Sequence, residues 1–134
     1  MRLLQLEKMI KKKDLPDLSN ENNLRLELCN IFNEDKAEDI ISLDMTPIYG
    51  YSSWFLIVTA LSTVHLKKLT NDAIGLLKKQ KTFLKIVPNQ TDYESGWVVL
   101  DCGGFLVHIF LKEVRELYNL EDLWADTPKI AFNG

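Results

Sequence analysis

The chain has 134 residues, 46% of them hydrophobic and 26% charged, with six glycines and four prolines. That length suits one domain with a core of its own, and the composition excludes the disordered, collagen-like and disulfide-stapled classes. The formal net charge of −3 conceals an asymmetry: six lysines against one acid, Asp72, from Ser62 to Lys85 give +5, and two cations against five acids from Lys112 to Asp126 give −3. Such a split fits a face that meets RNA or an acidic partner beside one that meets a basic protein, and it equally fits two unrelated solvated helix surfaces.

Residues 1–20, with their KKK run and the polar DLPDLSNENN stretch, read as a lead-in; residues 21–126 read as the domain and residues 127–134 as a tail. Glu7 and Lys8 interrupt the apolar steps near the N-terminus, which excludes a signal core, and no window approaches the roughly 18 apolar residues of a membrane span. Cys29 and Cys102 stand far apart and outside any CxxC or metal-ligand spacing. They are expected to be buried free thiols, and the chain to be cytoplasmic.

The first predicted element is a helix over ENNLRLELCNIFNEDKAED, in which Leu24, Leu28 and Phe32 recur every four residues beside Ile31, with Ser19 or Asn20 as cap. DIISLDM follows as a half-buried strand, Ile41, Leu43 and Met45 alternating with Ser42 and Asp44. WFLIVTAL is an unbroken apolar run, expected of a central strand covered on both faces. Ser62 or Thr63 caps the next helix, whose Leu66, Leu69, Ala73, Leu76 and Leu77 form one face while Lys67, Lys68, Asp72 and Lys79 form the other. TFLKIVPN reads as a strand ended by Pro88, and WVVLDCGGFLVHIF as two strands joined by a tight turn at Cys102, Gly103 and Gly104. LKEVRELYNLEDLW closes the domain as a helix bent or capped at Asn119. The helix between the second and third strands can act as a crossover, so the fold class is α/β, a mixed sheet flanked by helices.

Material for catalysis is sparse. His65 opens the basic helix and His108 lies inside a strand, and neither has a Ser, Cys or carboxylate beside it in a nucleophile arrangement. Asp44 and Asp101, near strand ends, are the candidates for a magnesium-dependent nucleotidyltransferase-like reaction, although GxxxxGK and GxGxxG are both absent. Strand alternation puts Trp97, Val99 and Asp101 on one face and Val98 and Leu100 on the other. If Val98 and Leu100 face the core, Trp97 is pushed toward solvent as a docking anchor; the opposite assignment buries it under a helix.

EDIISLDM, SSWFLIVTALSTVHLKKL and GWVVLDCGGFLVHIFLKEVRELYNLEDLW, together spanning about residues 27–125, resemble the ribosomal silencing factor family, RsfS or Iojap. The resemblance implies a five-stranded mixed sheet related in fold to nucleotidyltransferases, without enzymatic activity, cofactor or metal. It implies a protein that binds the large ribosomal subunit through ribosomal protein L-fourteen (bacterial naming) and sterically blocks joining of the small subunit, repressing translation; organelle relatives act in large-subunit assembly. Carried over residue by residue, it implies a partner-binding set of Trp97, Val99, Asp101 and His108 from the strands with Arg115, Tyr118 and Trp124 from the closing motif, which also includes Leu120 and Leu123. His65 matches the family's helix histidine. Ribosomal RNA contact through the Lys67 to Lys85 stretch and a homodimer of the free chain are left open. The chain departs from the family pattern at Ser53-Trp54, at Thr59-Ala60-Leu61-Ser62, at Val64 and at VPNQTDYESG, which removes what resembled a phosphate-binding turn.

Overall fold

The structure, a computed structural model, describes residues 18–49, 53–87, 93–119, 122 and 129–130. In chain order the elements are α1 (Leu18–Glu34), β1 (Glu38–Asp44), the single turn α2 (Thr46–Tyr49), β2 (Trp54–Ala60), α3 (Thr63–Lys79), β3 (Lys85–Val87), a 3₁₀ turn (Tyr93–Ser95), β4 (Trp97–Asp101), β5 (Phe105–Leu111), α4 (Lys112–Tyr118) and β6 (Lys129–Ile130). The five expected strands form one mixed sheet, and β6 adds a two-residue sixth at its edge, in the order β3-β4-β5-β2-β1-β6. Every pairing is antiparallel except β2 with β5, which run parallel from Trp54↔Phe105 to Ala60↔Leu111.

The helices fall on opposite faces of this sheet. α1 and α3 cover one, where Leu24, Leu28 and Phe32 of α1 and Leu66, Leu69, Ala73 and Leu77 of α3 pack on Leu56, Val58, Val98, Leu100, Val107 and Ile109. On the other face Leu43, Met45, Phe55, Ile57, Trp97, Val99, Leu106 and Phe110 form a second cluster, against which Val114 of α4 packs. Consequently β2, β4 and nearly all of β5 are buried on both sides, as the unbroken apolar run of β2 requires. β1 differs from its expected half-exposed pattern: Ser42 is buried along with Leu43, and Ile40 packs on the first cluster while Ile41 packs on the second.

Local chemistry fixes the boundaries. α1 already starts at Leu18, so Ser19 and Asn20 lie inside the helix instead of capping it. Ser62 caps α3, its Oγ accepting from the His65 N–H at 3.1 Å. Asn119 ends α4 in the left-handed conformation (φ 47°, ψ 53°) that asparagine tolerates well. The β4–β5 turn is closed by the Cys102 N–H donating to the Phe105 carbonyl at 2.9 Å and the Gly103 N–H donating to Asp101 Oδ1 at 3.0 Å. Gly96, at φ +74°, precedes β4 where α4 comes closest: a Cβ there would stand 2.7 Å from Val114 Cγ2.

Gly75 is of a different kind. It sits on the exposed side of α3, and no neighbouring atom lies within 4 Å of the position its Cβ would take. A glycine in a helix interior costs roughly 1 kcal/mol relative to alanine. Gly75→Ala should therefore raise the unfolding free energy by about 0.5–1 kcal/mol, read from urea midpoints at unchanged slope; a fall in stability would show a constraint at Gly75 inside the fold.

His108 is the one titratable group at the centre of the second cluster, fully buried and ringed by Phe55, Trp97 and Phe110 at centroid distances of 5.0, 5.9 and 6.0 Å. Trp97 Nε1–H donates to His108 Nδ1 at 3.1 Å, which places the imidazole proton on Nε2. Burial pushes its pKa down from 6.5 to about 3. The unfolded chain binds this proton below pH 6.5 and the folded chain does not, so stability is fully retained above pH 6.5 and drains away as the pH falls toward 3. The loss attributable to this group between pH 7 and pH 5 is about 2 kcal/mol. Paired denaturation curves should show that loss in the natural protein and a markedly flatter dependence in His108→Gln, whose amide oxygen can still accept from Trp97; equal slopes would assign the acid sensitivity to other groups.

Candidate docking surface

The residues singled out from the sequence separate into an interior set and an exposed one. Trp97 is 7% exposed, and Val99, Asp101, His108 and Arg115 are buried as well. The expectation that Trp97 is pushed toward solvent is thus corrected: with α3 on one face and α4 on the other, Val98 and Trp97 are both inside. Trp97 stacks on Phe110 (centroids 4.7 Å apart) and bonds His108 from within the domain, while Asp101 holds the β4–β5 turn.

Arg115 is likewise turned inward. Its Nη1 donates to the Asp39 carbonyl at 2.6 Å and to Thr59 Oγ1 at 2.7 Å, so α4 is pinned to two strands at once. Asp39 occupies the left-handed region (φ 48°), within the irregular stretch of β1 between Glu38 and Ile41, and this bulge aims its carbonyl at the guanidinium. A cavity of about 240 Å³ opens beside these groups, lined by Asp39, Thr59, Lys112, Arg115, Glu116 and Asn119. It is smaller than the roughly 300–1,000 Å³ usual for small-molecule sites and carries both signs of charge.

With Arg115 inside, the helix repeat of about 100° per residue turns Leu117 about 200° away from it, toward solvent. Leu117 is 79% and Tyr118 44% exposed, the latter with its ring 4.6 Å from Trp97. Tyr118 thus rests on Trp97, which itself packs on His108 and Phe110, while Leu117 projects into solvent about 100° away around the helix. Around them Glu113, Glu116 and Asp122 are exposed against the exposed cation Lys112, which leaves the rim net acidic. The sequence did not single out Leu117, because its i, i+3 spacing from Val114 is the spacing of a buried stripe. Trp124, Leu120 and Leu123 lie outside the described residues.

The remaining candidates are structural or solvated. His65 Nδ1 accepts from the Leu61 N–H at 2.9 Å and its Nε2 lies 2.7 Å from the Asp35 carbonyl, so it staples the start of α3 to the end of α1. Nearby, Lys68 bridges Asp35 (3.6 Å) and Asp72 (3.1 Å). Burial and the neighbouring Asp72 push the Asp35 carboxyl upward, and the pairing with Asp35 and Lys68 holds Asp72 low. Lys67, Lys68, Lys78, Lys79, Lys81 and Lys85 are all exposed. Cys29 and Cys102 are buried and form no disulfide, and burial raises the Cys29 thiol.

The magnesium alternative meets a geometric obstacle. β4 and β1 are separated by β5 and β2, so Asp101 and Asp44 are about 14 Å apart across the sheet at the usual strand spacing. They also belong to opposite faces, Asp101 with Trp97 and Val99, Asp44 out of phase with Leu43. One ion cannot bridge them at metal–oxygen distances of about 2–2.6 Å. Asp44 Oδ1 instead accepts from the Thr46 N–H at 2.9 Å, and among the described residues no three His, Cys, Asp or Glu side chains gather around a common point.

Comparison with known proteins agrees with this architecture. A ribosomal silencing factor RsfS from Halalkalibacterium halodurans is 31% identical over 118 residues, covering 87% of this chain and 97% of its own. A mouse protein named for mitochondrial assembly of the ribosomal large subunit is 30% identical over 102 residues, 73% of this chain and 43% of its own. A crystal structure of protein CV0518 from Chromobacterium violaceum superposes with a TM-score of 0.67 at 27% identity, over 89% of this chain and 94% of that one. Residues 17–134 match the family described as ribosomal silencing factor during starvation, and the chain belongs to this RsfS family.

Proposed function

We propose that the protein is a non-catalytic translation repressor that binds the large ribosomal subunit through ribosomal protein L-fourteen and keeps the small subunit from joining. The observation that carries this reading is the end of α4, where Leu117 stands in solvent next to a half-exposed Tyr118 whose ring rests on the buried Trp97. Hot spots of protein interfaces have this anatomy: a tyrosine anchor, a firm floor and a charged rim. The acidic rim favours a basic protein partner, and electrostatic steering would speed the encounter.

In this reading Trp97, His108 and Val99 support the surface from beneath, and Asp101 and Arg115 fix the turn and helix that present it. The mechanism is exclusion by bulk. A folded domain of this length has a radius of gyration of about 14 Å, many times the separation at which subunit contacts form. No bond is made or broken and no cofactor takes part, in line with the family's description as a silencing factor. No helix among the described residues is long and apolar enough to cross a membrane.

Co-sedimentation with isolated large subunits, small subunits and joined ribosomes tests the proposal: the protein should pellet with large subunits alone and lower the fraction that joins. Binding to none of them would overturn it. Leu117→Ser, a surface change, should alter stability by less than about 0.5 kcal/mol, and Tyr118→Ala should cost about 1 kcal/mol through its lost contact with Trp97, while each weakens subunit binding about tenfold, near 1.4 kcal/mol. Trp97→Ala, in contrast, should cost about 3 kcal/mol of folding stability, measured by denaturation before any binding assay.

A second reading is favoured by the name of the mouse relative, in which large-subunit assembly is explicit. Sucrose gradients of depleted cells separate the two. Incomplete large particles would point to assembly, whereas complete subunits with more joined ribosomes under starvation would point to silencing.

A further inference from the structure

We propose that the outer face of α3 receives the phosphate backbone of an RNA, which approaches the helix closely at Gly75 between two rows of lysine. At about 100° per residue, Lys67 and Lys78 fall on one line of the helix surface and Lys68 and Lys79 on another, with Gly75 between them. Each row spans about 16 Å, long enough for its two lysines to meet different phosphates of one strand. Lys81 and Lys85 continue the positive charge past the helix end, and Asp72 is the one acid between Ser62 and Lys85.

Neighbouring groups tether two of these lysines at the surface. Lys67 lies over the Tyr93 ring, its Nζ 5.4 Å from the centroid, and Lys68 is drawn to Asp72 and Asp35. Between the rows the helix is low. Gly75 weakens α3 with nothing in the fold to repay it, since a methyl group there would touch no atom. Close approach of an outside molecule to the backbone is the use that a glycine in such a position serves.

The chemistry favours RNA over an acidic protein. A protein interface needs an apolar centre inside its charged rim. Between the lysine rows stand Asn71 and Gly75, and the exposed large apolar side chains near this face lie beyond the rows, Leu61 and Val64 at the N-terminal end and Phe83 past the C-terminal end. Lysines spread along a polar ridge suit a line of phosphates, which they meet as point charges. This face is separate from the Leu117–Tyr118 patch, so the inference does not depend on docking there.

The test uses the full-length protein and a labelled 20-base-pair RNA duplex, followed by fluorescence anisotropy over a series of KCl concentrations. Affinity should fall with a log–log slope of about −3 to −4 for four neutralised phosphates. Gly75→Ala should bind within about twofold of the natural protein, whereas Gly75→Gln, also a good helix former, should bind about tenfold more weakly. Lys67→Gln with Lys78→Gln should reduce the slope by about 2. Unchanged duplex binding by Gly75→Gln and by the double lysine variant would overturn the proposal. So would displacement of the duplex by polyglutamate at equal charge concentration, which would point to an acidic protein. Because no ribosomal subunit enters the assay, its failure is distinct from failure of docking at Leu117 and Tyr118.

Discussion

The parallel pairing of β2 with β5 is the constraint from which the rest of the molecule follows. Seven residue pairs, Trp54↔Phe105 through Ala60↔Leu111, place two wholly apolar strands side by side in the middle of the sheet. Such strands need cover on both faces, and the chain supplies it by leaving their common end in opposite directions. α3 folds back over one face and α4 onto the other. The two helices therefore present their outer surfaces on opposite sides of the domain, a basic one and an acidic one.

That arrangement explains why residues gathered by sequence reasoning into one docking set prove to be so unequal in exposure. Trp97, Val99, Asp101 and His108 belong to strands with helices on both sides, where no alternation between core and solvent survives. The indole N–H is used by His108 and the Asp101 carboxylate by the β4–β5 turn. Arg115 spends its guanidinium on Asp39 and Thr59. What reaches solvent is the end of α4, and its presentation depends on every one of these buried contacts.

The architecture was legible wherever hydrophobic pattern and turn chemistry agree. The β2 run, the amphipathic α3 with its Ser62 cap, the β4–β5 hairpin and the Asn119 stop could each be read from neighbouring residues alone. Exposure at the site was not legible, because it depends on which helix lies over which face, a fact held in contacts between distant segments. Periodicity counts Leu117 as core and Arg115 as surface, and a bulge in β1 reverses both by offering Asp39 to the guanidinium. Asp44 and Asp101 look alike in sequence and are separated only by strand order.

The same central pairing sets the order in which the chain can fold during synthesis. β4 and β5 are joined by a short turn and can pair as soon as they emerge, bringing Trp97 and His108 together early. β2 can pair with the preceding β1 at once, but its other edge must wait for a partner about fifty residues further along. Until then that edge of Trp54–Ala60, seven residues without a charge or a proline among them, is open to pairing with any other exposed strand. α3, made immediately after β2 and able to cover one of its faces, is the segment best placed to shield it during that interval.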